Sequence, residues 1–334
     1  MHARQDVPPL PRGPAVSRYL LTGATGFVGA RLVPMLLARG HAVTALARPS
    51  PRLDGLHERG VRIVVGDLAT GEGIPEAIDG VDRVIHLAGV VRSRTAAGFE
   101  AVNHYGTRRL AAALAARPRP PRLVFCSSLA AAGPTTPSGR PSAPVSCYGI
   151  SKRAGEEAVR QHASRLAAVI LRPAIVYGPG EPALIPALLP MIRLGLVLKA
   201  GLGPRRYSAV YVDDLCTALL AAADHDSTVR PGDPDAGLYP ISDGTPYTWH
   251  DICHALARAA GRPPPRLLPV PMPVVRAAAA VAELAGQVPA LNRDKVREMR
   301  HPDWTCNPGK AARDLGFKPT TSLLDGLTAT LAVR

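Results

Sequence analysis

Three glycines at a GxxGxxG spacing, Gly23, Gly26 and Gly29, separate a short apolar run, Tyr19 to Thr22, from an apolar-periodic segment, Phe27 to Arg39. That segment ends at Gly40, a helix C-cap signal. A strand, a tight glycine turn and an amphipathic helix in this order constrain the fold more than any other feature of the chain. Glycines there permit the sharp turn, let the backbone approach a ligand closely, and let helix pack tightly on strand. The helix start offers N–H donors and the positive end of its dipole, which suit the phosphates of a dinucleotide. Gly23, Thr25, Gly26, Phe27, Val28 and Gly29 are therefore the expected cofactor-binding turn.

The same rhythm continues for some 150 residues. Strands are predicted at Ala42 to Leu46, Arg62 to Val65, Arg83 to Leu87, Leu123 to Ser127 and Ala167 to Leu171, and helices at Phe99 to Arg117 and Tyr148 to Ala163. Alternating strands and helices call for a parallel sheet covered on both faces, and right-handed crossovers make it doubly wound. The predicted class is α/β, a Rossmann-type doubly wound parallel sheet with a smaller mixed C-terminal substrate lobe. The expected division is a disordered leader over residues 1–17, a dinucleotide-binding domain over 18–178, and the lobe over 179–334, with segments able to return to the first domain.

Composition excludes other classes. The net charge of +14 comes from scattered residues, almost all arginine, with no dense basic run beside stacking aromatics, so no nucleic-acid partner is expected. Five widely spaced cysteines with no CxxC pair indicate neither a disulfide framework nor a zinc site, so no metal is expected and a reducing cytoplasm fits. The proline-rich start lacks the apolar core of a signal peptide. The stretch Leu267 to Leu291 holds Arg276, Glu283 and several prolines, and is not read as a membrane span.

Further cofactor contacts are expected at strand ends. A NAD enzyme tends to place an acid near the end of the second strand, about 20 residues beyond the glycines, to hold the ribose 2′-hydroxyl. Here that stretch reads Ala45-Leu46-Ala47-Arg48. Arg48 suits a 2′-phosphate, the alternative being a surface arginine; NADP(H) is favoured, with NAD(H) as the other choice. Asp67, in Gly66-Asp67-Leu68, can accept from an adenine amino group or simply cap its loop. His86-Leu87-Ala88-Gly89 ends the fourth strand with small residues that admit a cofactor, and His86 itself reads as structural.

Tyr148-Gly149-Ile150-Ser151-Lys152 sets a phenol and an ammonium one helical turn apart. A phenol with pKa near 10 is a poor base at neutral pH, and a neighbouring cation is expected to bring it toward the working range. Lys152 can also hold the nicotinamide ribose. Ser128, leaving the fifth strand, can polarise a substrate carbonyl or serve as a capping hydroxyl; Ser127 is the weaker candidate. Asn103, on the preceding helix, can support the proton path or anchor the lysine through water.

In order along the chain, GATGFVG, GDL, HLAG, the Asn103 segment, FCSS, YGISK, LRPAIVYGP from Leu171 and YVDDL from Tyr211 resemble the extended short-chain dehydrogenase/reductases, the NAD-dependent epimerase/dehydratase family. The resemblance runs from Tyr19 to about Phe317. It implies that Ser128, Tyr148 and Lys152 form a catalytic triad, that Asn103 joins them, and that Pro173 and its neighbours flank the nicotinamide. It also implies a homodimer paired through the helices at Phe99–Arg117 and Tyr148–Ala163. Two departures narrow the choice. Ser128-Leu129-Ala130 stands where sugar dehydratases of the family carry Thr-Asp-Glu, and Arg172-Pro173-Ala174-Ile175 stands where many 4-epimerases carry Arg-Tyr-Phe-Asn. What remains is similar to the 3β-hydroxysteroid dehydrogenase and dihydroflavonol reductase-like branch.

The leading expectation is a nicotinamide-dependent oxidoreductase that interconverts a small-molecule ketone and a secondary alcohol. A nucleotide-sugar epimerase with bound NAD and a non-catalytic dinucleotide sensor are the alternatives. Leu184, Ile185, Leu188, Leu189, Met191 and Ile192 are expected either as an apolar lid over the substrate or as packing of the small lobe. Arg205, Arg206 and Tyr207 are expected at the substrate or on a solvated surface.

Overall fold

The computed structural model describes residues 16–284 and 291–333; the expected leader lies, up to residue 15, outside the described residues. Six strands, β1 (Arg18–Thr22), β2 (Ala42–Ala47), β3 (Arg62–Val65), β4 (Arg83–His86), β5 (Arg122–Cys126) and β6 (Ala168–Pro173), come first. Between them run helices α1 (Phe27–Ala38), α2 (Asp54–His57), α3 (Ile74–Ala77), α4 (Ala96–Glu100), α5 (Thr107–Ala115) and α6 (Cys147–Arg160). The segment predicted as one helix from Phe99 to Arg117 is broken by a π-helical turn, Ala101–Gly106, between α4 and α5. Such turns widen a helix locally and often lie at functional sites.

The chain continues through β7 (Ile175–Tyr177), α7 (Leu184–Arg193), β8 (Leu196–Ala200), β9 (Arg206–Tyr211), α8 (Val212–Asp224), β10 (Leu238–Ile241), β11 (Pro246–Thr248) and α9 (Trp249–Ala259). It ends with β12 (Arg266–Val270), α10 (Met272–Leu284), α11 (Arg293–Met299), β13 (Asp303–Trp304), α12 (Gly309–Leu315) and α13 (Leu323–Ala332).

The main sheet has seven parallel strands in the order β10-β6-β5-β4-β1-β2-β3. Its strands alternate between two cores: Tyr19 and Leu21 of β1 face one layer, and Leu20 the other. Both faces are covered by helices, so these strands are apolar along their length instead of alternating with polar residues. Strand order reverses between β1 and β4, and crevices at the carboxyl ends of such strands are where doubly wound sheets bind ligands. The glycine turn leaves β1 at that place and His86-Leu87-Ala88-Gly89 ends β4 beside it.

β7 follows β6 after a single residue and leaves the main sheet to pair with β9, which also pairs with β11 and β13. β8 and β12 form a separate parallel ribbon. α8 then packs back on the main sheet and β10 joins its edge beside β6. Two acids of the YVDDL segment fasten this crossing. Asp213 accepts two hydrogen bonds from Arg31 of α1, at 2.7 and 2.6 Å. Buried Asp214 accepts from the backbone N–H of Thr320 and Thr321 and from the Thr320 hydroxyl, at 2.9 to 3.1 Å.

Residues 184–193, expected as a lid or as lobe packing, form α7. Its Ile185, Leu188 and Ile192 lie in the small-lobe core with Tyr177, Tyr211 and Leu256, which is the packing role. Arg205 is no solvated surface group. It is buried, with its guanidinium donating to the carbonyls of Ala200 and His301. Arg206 pairs with Asp303, and Tyr207 meets Trp249 edge to face at 5.7 Å.

Candidate active site

The three glycines divide the work of the turn. Gly23 has φ +76°, and a β-carbon there would lie 2.8 Å from the Ala88 nitrogen, so the β1 and β4 turns touch backbone to backbone. At Gly29 a β-carbon would fall 2.3 Å from the Gly23 oxygen, which fixes the close seat of α1 on β1. Gly26 differs: it is exposed, and its nearest obstacle is the Gly23 oxygen at 3.2 Å. Its bareness leaves the turn open toward solvent rather than toward the protein. The start of α1 has no side-chain cap and no acid in its first turn, so its N–H groups suit a pyrophosphate. This cradle fits a dinucleotide. Phe27 and Val28 turn the other way and pack on the small-lobe core.

His86 is held in a buried polar thread. The Ala88 N–H donates to Thr22 Oγ1 (3.2 Å), which lies 2.6 Å from His86 Nδ1. On the other side, His86 Nε2 lies 2.9 Å from Thr107 Oγ1, which donates to the Asn103 carbonyl at 2.8 Å. Thr107 has only one hydroxyl proton to give, so Nε2 bears the imidazole proton and Nδ1 accepts from Thr22. Burial, with Lys152 nearby, pushes the His86 pKa down to about 3, so the ring is neutral. This is a structural histidine.

Asn103 sits on the π-helical turn and is fully buried. Its amide oxygen accepts from the Val90 N–H at 2.8 Å, while its nitrogen donates to the Val90 carbonyl (2.9 Å) and to Ser151 Oγ (3.0 Å). Both amide protons are thus used. Ser151 in turn donates to the Tyr148 carbonyl at 2.7 Å. Asn103 therefore ties the turn after β4 to the helix that carries Tyr148. A β-carbon on Gly89 would lie 3.2 Å from the Asn103 amide oxygen and 3.8 Å from Lys152 Nζ, so this turn comes against both side chains.

Tyr148 and Lys152 lie one turn apart on α6. The first N–H groups of that helix are all satisfied: Gly149 N–H by Ser146 Oγ at 3.0 Å, and those of Cys147 and Tyr148 by the Asp294 carboxylate at 2.6 and 3.1 Å. Glu298, also on α11, accepts from Ser146 Oγ at 2.8 Å. Two turns further along, buried Glu156 pairs with Arg172 of β6 and accepts from Ser127 Oγ at 2.6 Å. Ser127 is thereby spent on structure.

Ser128 stands beside the Tyr148 phenol and caps the short turn 129–131 by accepting from the Ala130 N–H at 3.2 Å. Phe99 stands beside the phenol ring at 6.1 Å. Burial drives the Tyr148 pKa upward, and Ser128 only partly opposes it. Lys152, expected to pull the phenol downward, is not among the groups that shift it. Buried Lys152 donates instead to the Cys126 carbonyl at 2.7 Å and lies 4.4 Å from the centre of the Phe125 ring. Burial lowers its own pKa to about 8 and raises that of Cys126 to about 11. Such a thiol is no nucleophile.

The structure thus brings Ser128, Tyr148, Lys152, Asn103 and Gly89 into one cluster, and Gly23 against Leu87 and Ala88. The remaining expected contacts lie around it. Pro173 is the last residue of β6, and Leu68 is buried against the core under the third strand end. Asp67 caps its loop, accepting from the Ala69 N–H at 2.8 Å. Arg48 is exposed just past β2. Sequence reasoning passed over Arg52, whose guanidinium reaches the Thr25 carbonyl at 3.4 Å, and Glu156, Arg172, Asp294 and Glu298. For Glu156 a signal was there: it continues the Tyr148–Lys152 stripe by one more helical turn.

Comparison with known proteins agrees with this architecture. The model of the NAD dependent epimerase/dehydratase family matches residues 19–236. Ceramide reductase of Caulobacter vibrioides is 34% identical over 93% of this chain and 92% of its own length. The 2-alkyl-3-oxoalkanoate reductase of Stenotrophomonas maltophilia is 30% identical over 93% of this chain and 97% of its own. Among solved structures, MoeE5 in complex with UDP-glucuronic acid and NAD superposes with a TM-score of 0.71 at 26% identity, covering 94% of this chain and 98% of that one.

Proposed function

The chain belongs to the NAD-dependent epimerase/dehydratase family of extended short-chain dehydrogenase/reductases, and from that premise we propose that it reduces a ketone carried on a long-chain amphiphile to the secondary alcohol. The observation that carries this reading is the Tyr148–Lys152 pair, one turn apart on α6 with the ammonium buried and Ser128 beside the phenol, at the carboxyl ends of the sheet. The two reductase relatives, one named for ceramide and one for 2-alkyl-3-oxoalkanoates, support the amphiphile.

Gly23, Thr25, Gly26 and Gly29 would hold the pyrophosphate of the cofactor, Asp67 and Leu68 the adenine side, and Leu87, Ala88, Gly89, Lys152 and Pro173 the nicotinamide side. When bound, the reduced nicotinamide supplies hydride. The protein's residues handle the rest. Ser128 gives its hydroxyl proton as a hydrogen bond to the substrate carbonyl oxygen, where negative charge develops. Tyr148, kept protonated by burial, transfers its phenolic proton to that oxygen. Lys152 stabilises the phenolate left behind, and Asn103 keeps the turn at Gly89 seated against the lysine. Arg48 and Arg52, with no acid at the end of β2, favour NADPH over NADH through a 2′-phosphate.

The test is NADPH and NADH consumption with a panel of 2-alkyl-3-oxoalkanoates, other long-chain ketones, β-ketoacyl thioesters and nucleotide sugars. Turnover of a long-chain ketone is expected, with Tyr148→Phe slowing it by about 100- to 10,000-fold. Interconversion of nucleotide hexoses without net NADPH loss would overturn the reductase reading.

A further inference from the structure

We propose that the β8–β12 ribbon and the helix pair α10–α11 form a docking surface for an anionic lipid bilayer. Strand geometry sets the first part of the case. Val197 and Leu267 face the small-lobe core. By alternation, Leu196, Leu198 and Ala200 share the outer face with their register partners Arg266, Leu268 and Val270. α10 covers only one end of that face, where Ala200 and Val270 pack against Val275 and Ala279. The other end is bare: Leu198 and its partner Leu268 are 51% and 50% exposed, Leu196 is 42% exposed, and Leu194, which leads into β8, is 84% exposed. Single exposed leucines are ordinary; four along one end of a ribbon mark a binding surface. The apolar exposure continues through Pro271 and Pro273 into α10, where Val274 and Val281 also face solvent.

Charge decides the occupant. Arg193 adjoins Leu194, and Arg266 is the register partner of Leu196. Between α10 and α11 opens a cleft of about 430 Å³ whose apolar walls carry Arg276, Arg293, Arg297 and Arg300. Arg293 pairs with Glu283 and Arg297 with Asp294, but Arg276 and Arg300 have no acidic partner among the described residues. Guanidinium groups around exposed leucines match lipid phosphates around acyl chains. A second copy matches poorly, because a two-fold contact would bury Arg276 and Arg300 from both copies while Glu283, Asp294 and Glu298 already have partners. No helix among the described residues is long and apolar enough to cross a membrane, so the contact is one of surface. α11 also supplies Asp294 and Glu298 to the first turn of α6, so one helix of the proposed face touches the helix that carries Tyr148. Delivery of an amphiphilic ketone along α11 follows only if the reductase reading holds; the docking itself does not depend on it.

The experiment is co-sedimentation of the full chain with vesicles of phosphatidylcholine alone and of phosphatidylcholine with phosphatidylglycerol, at low and high salt. Binding about tenfold tighter to the anionic vesicles, weakened by salt, is expected. Leu198→Glu with Leu268→Glu, and separately Arg276→Glu with Arg300→Glu, should each remove most of that binding while NADPH binding and the melting curve stay as in the parent. Equal binding to both vesicle types, or no binding by the parent chain, overturns the proposal without any variant. So does an exposed-leucine variant that binds vesicles like the parent but changes mass by light scattering, since the face would then join two copies. Vesicle binding with no ketone turnover would leave docking standing and sink only the reductase reading.

Discussion

Lys152 shows what the reaction site costs the fold. Its ammonium is buried with a single carbonyl and an aromatic ring for company, and burial holds its pKa at about 8 against an ordinary 10.5. The unfolded chain therefore binds a proton more readily than the folded one between these values. Stability rises with pH across that window, and below about pH 8 the full burial cost is present. Lys152→Met should remove the cost: at pH 7 the variant is expected to be more stable by roughly 1–3 kcal/mol, a shift of a few degrees in Tm, while losing turnover. Thermal melts of parent and variant from pH 7 to 10.5 check this. The gap between them should close as pH rises; a variant less stable than the parent at pH 7 would contradict it. His86 titrates on the opposite side of neutrality, near 3, and so stays an uncharged joint between β1, β4 and the Asn103 turn throughout this range.

At the scale of elements, α6 is fixed from outside itself. Asp294 takes the N–H groups of Cys147 and Tyr148, a job that a local capping residue usually does. Asp294→Ala is expected to cost about 1–2 kcal/mol, in the range of a lost helix cap with its dipole contribution. Because the displaced residue is Tyr148, kcat should fall further than the affinity for NADPH; steady-state kinetics beside a cofactor titration separate the two, and an unchanged kcat would make the contact merely structural. The sequence made α6, the glycine turn and the strands of the main sheet readable because each is a local pattern, periodic over a few residues. Asp294 stands 146 residues from Tyr148, and Arg172 answers Glu156 across a strand, so neither partner leaves a mark in the local periodicity. The π-helical turn around Asn103 was equally invisible, since Ala101–Gly106 reads as ordinary helix. Arg205 was misplaced for the same reason: the carbonyls it satisfies come from Ala200 and from distant His301.

On the scale of the whole molecule, the chain leaves the main sheet at β7, returns through α8 and β10, leaves again at β11, and returns with α12 against Ala223 and Tyr239. Asp214, reaching Thr320 and Thr321, and Gly326, whose β-carbon would fall 2.7 Å from the Tyr177 ring, close the seam. The chain crosses repeatedly between the two cores, so calorimetry should give one transition with equal calorimetric and van't Hoff enthalpies, not two resolved peaks. Within this frame the Tyr148 helix is bolted at both its first turn and its middle, by α11 and by Arg172. It can neither slide nor roll to suit a new substrate. Any kin of this protein with a different diet would have to change the side chains around the proton donor and leave the donor itself where it stands.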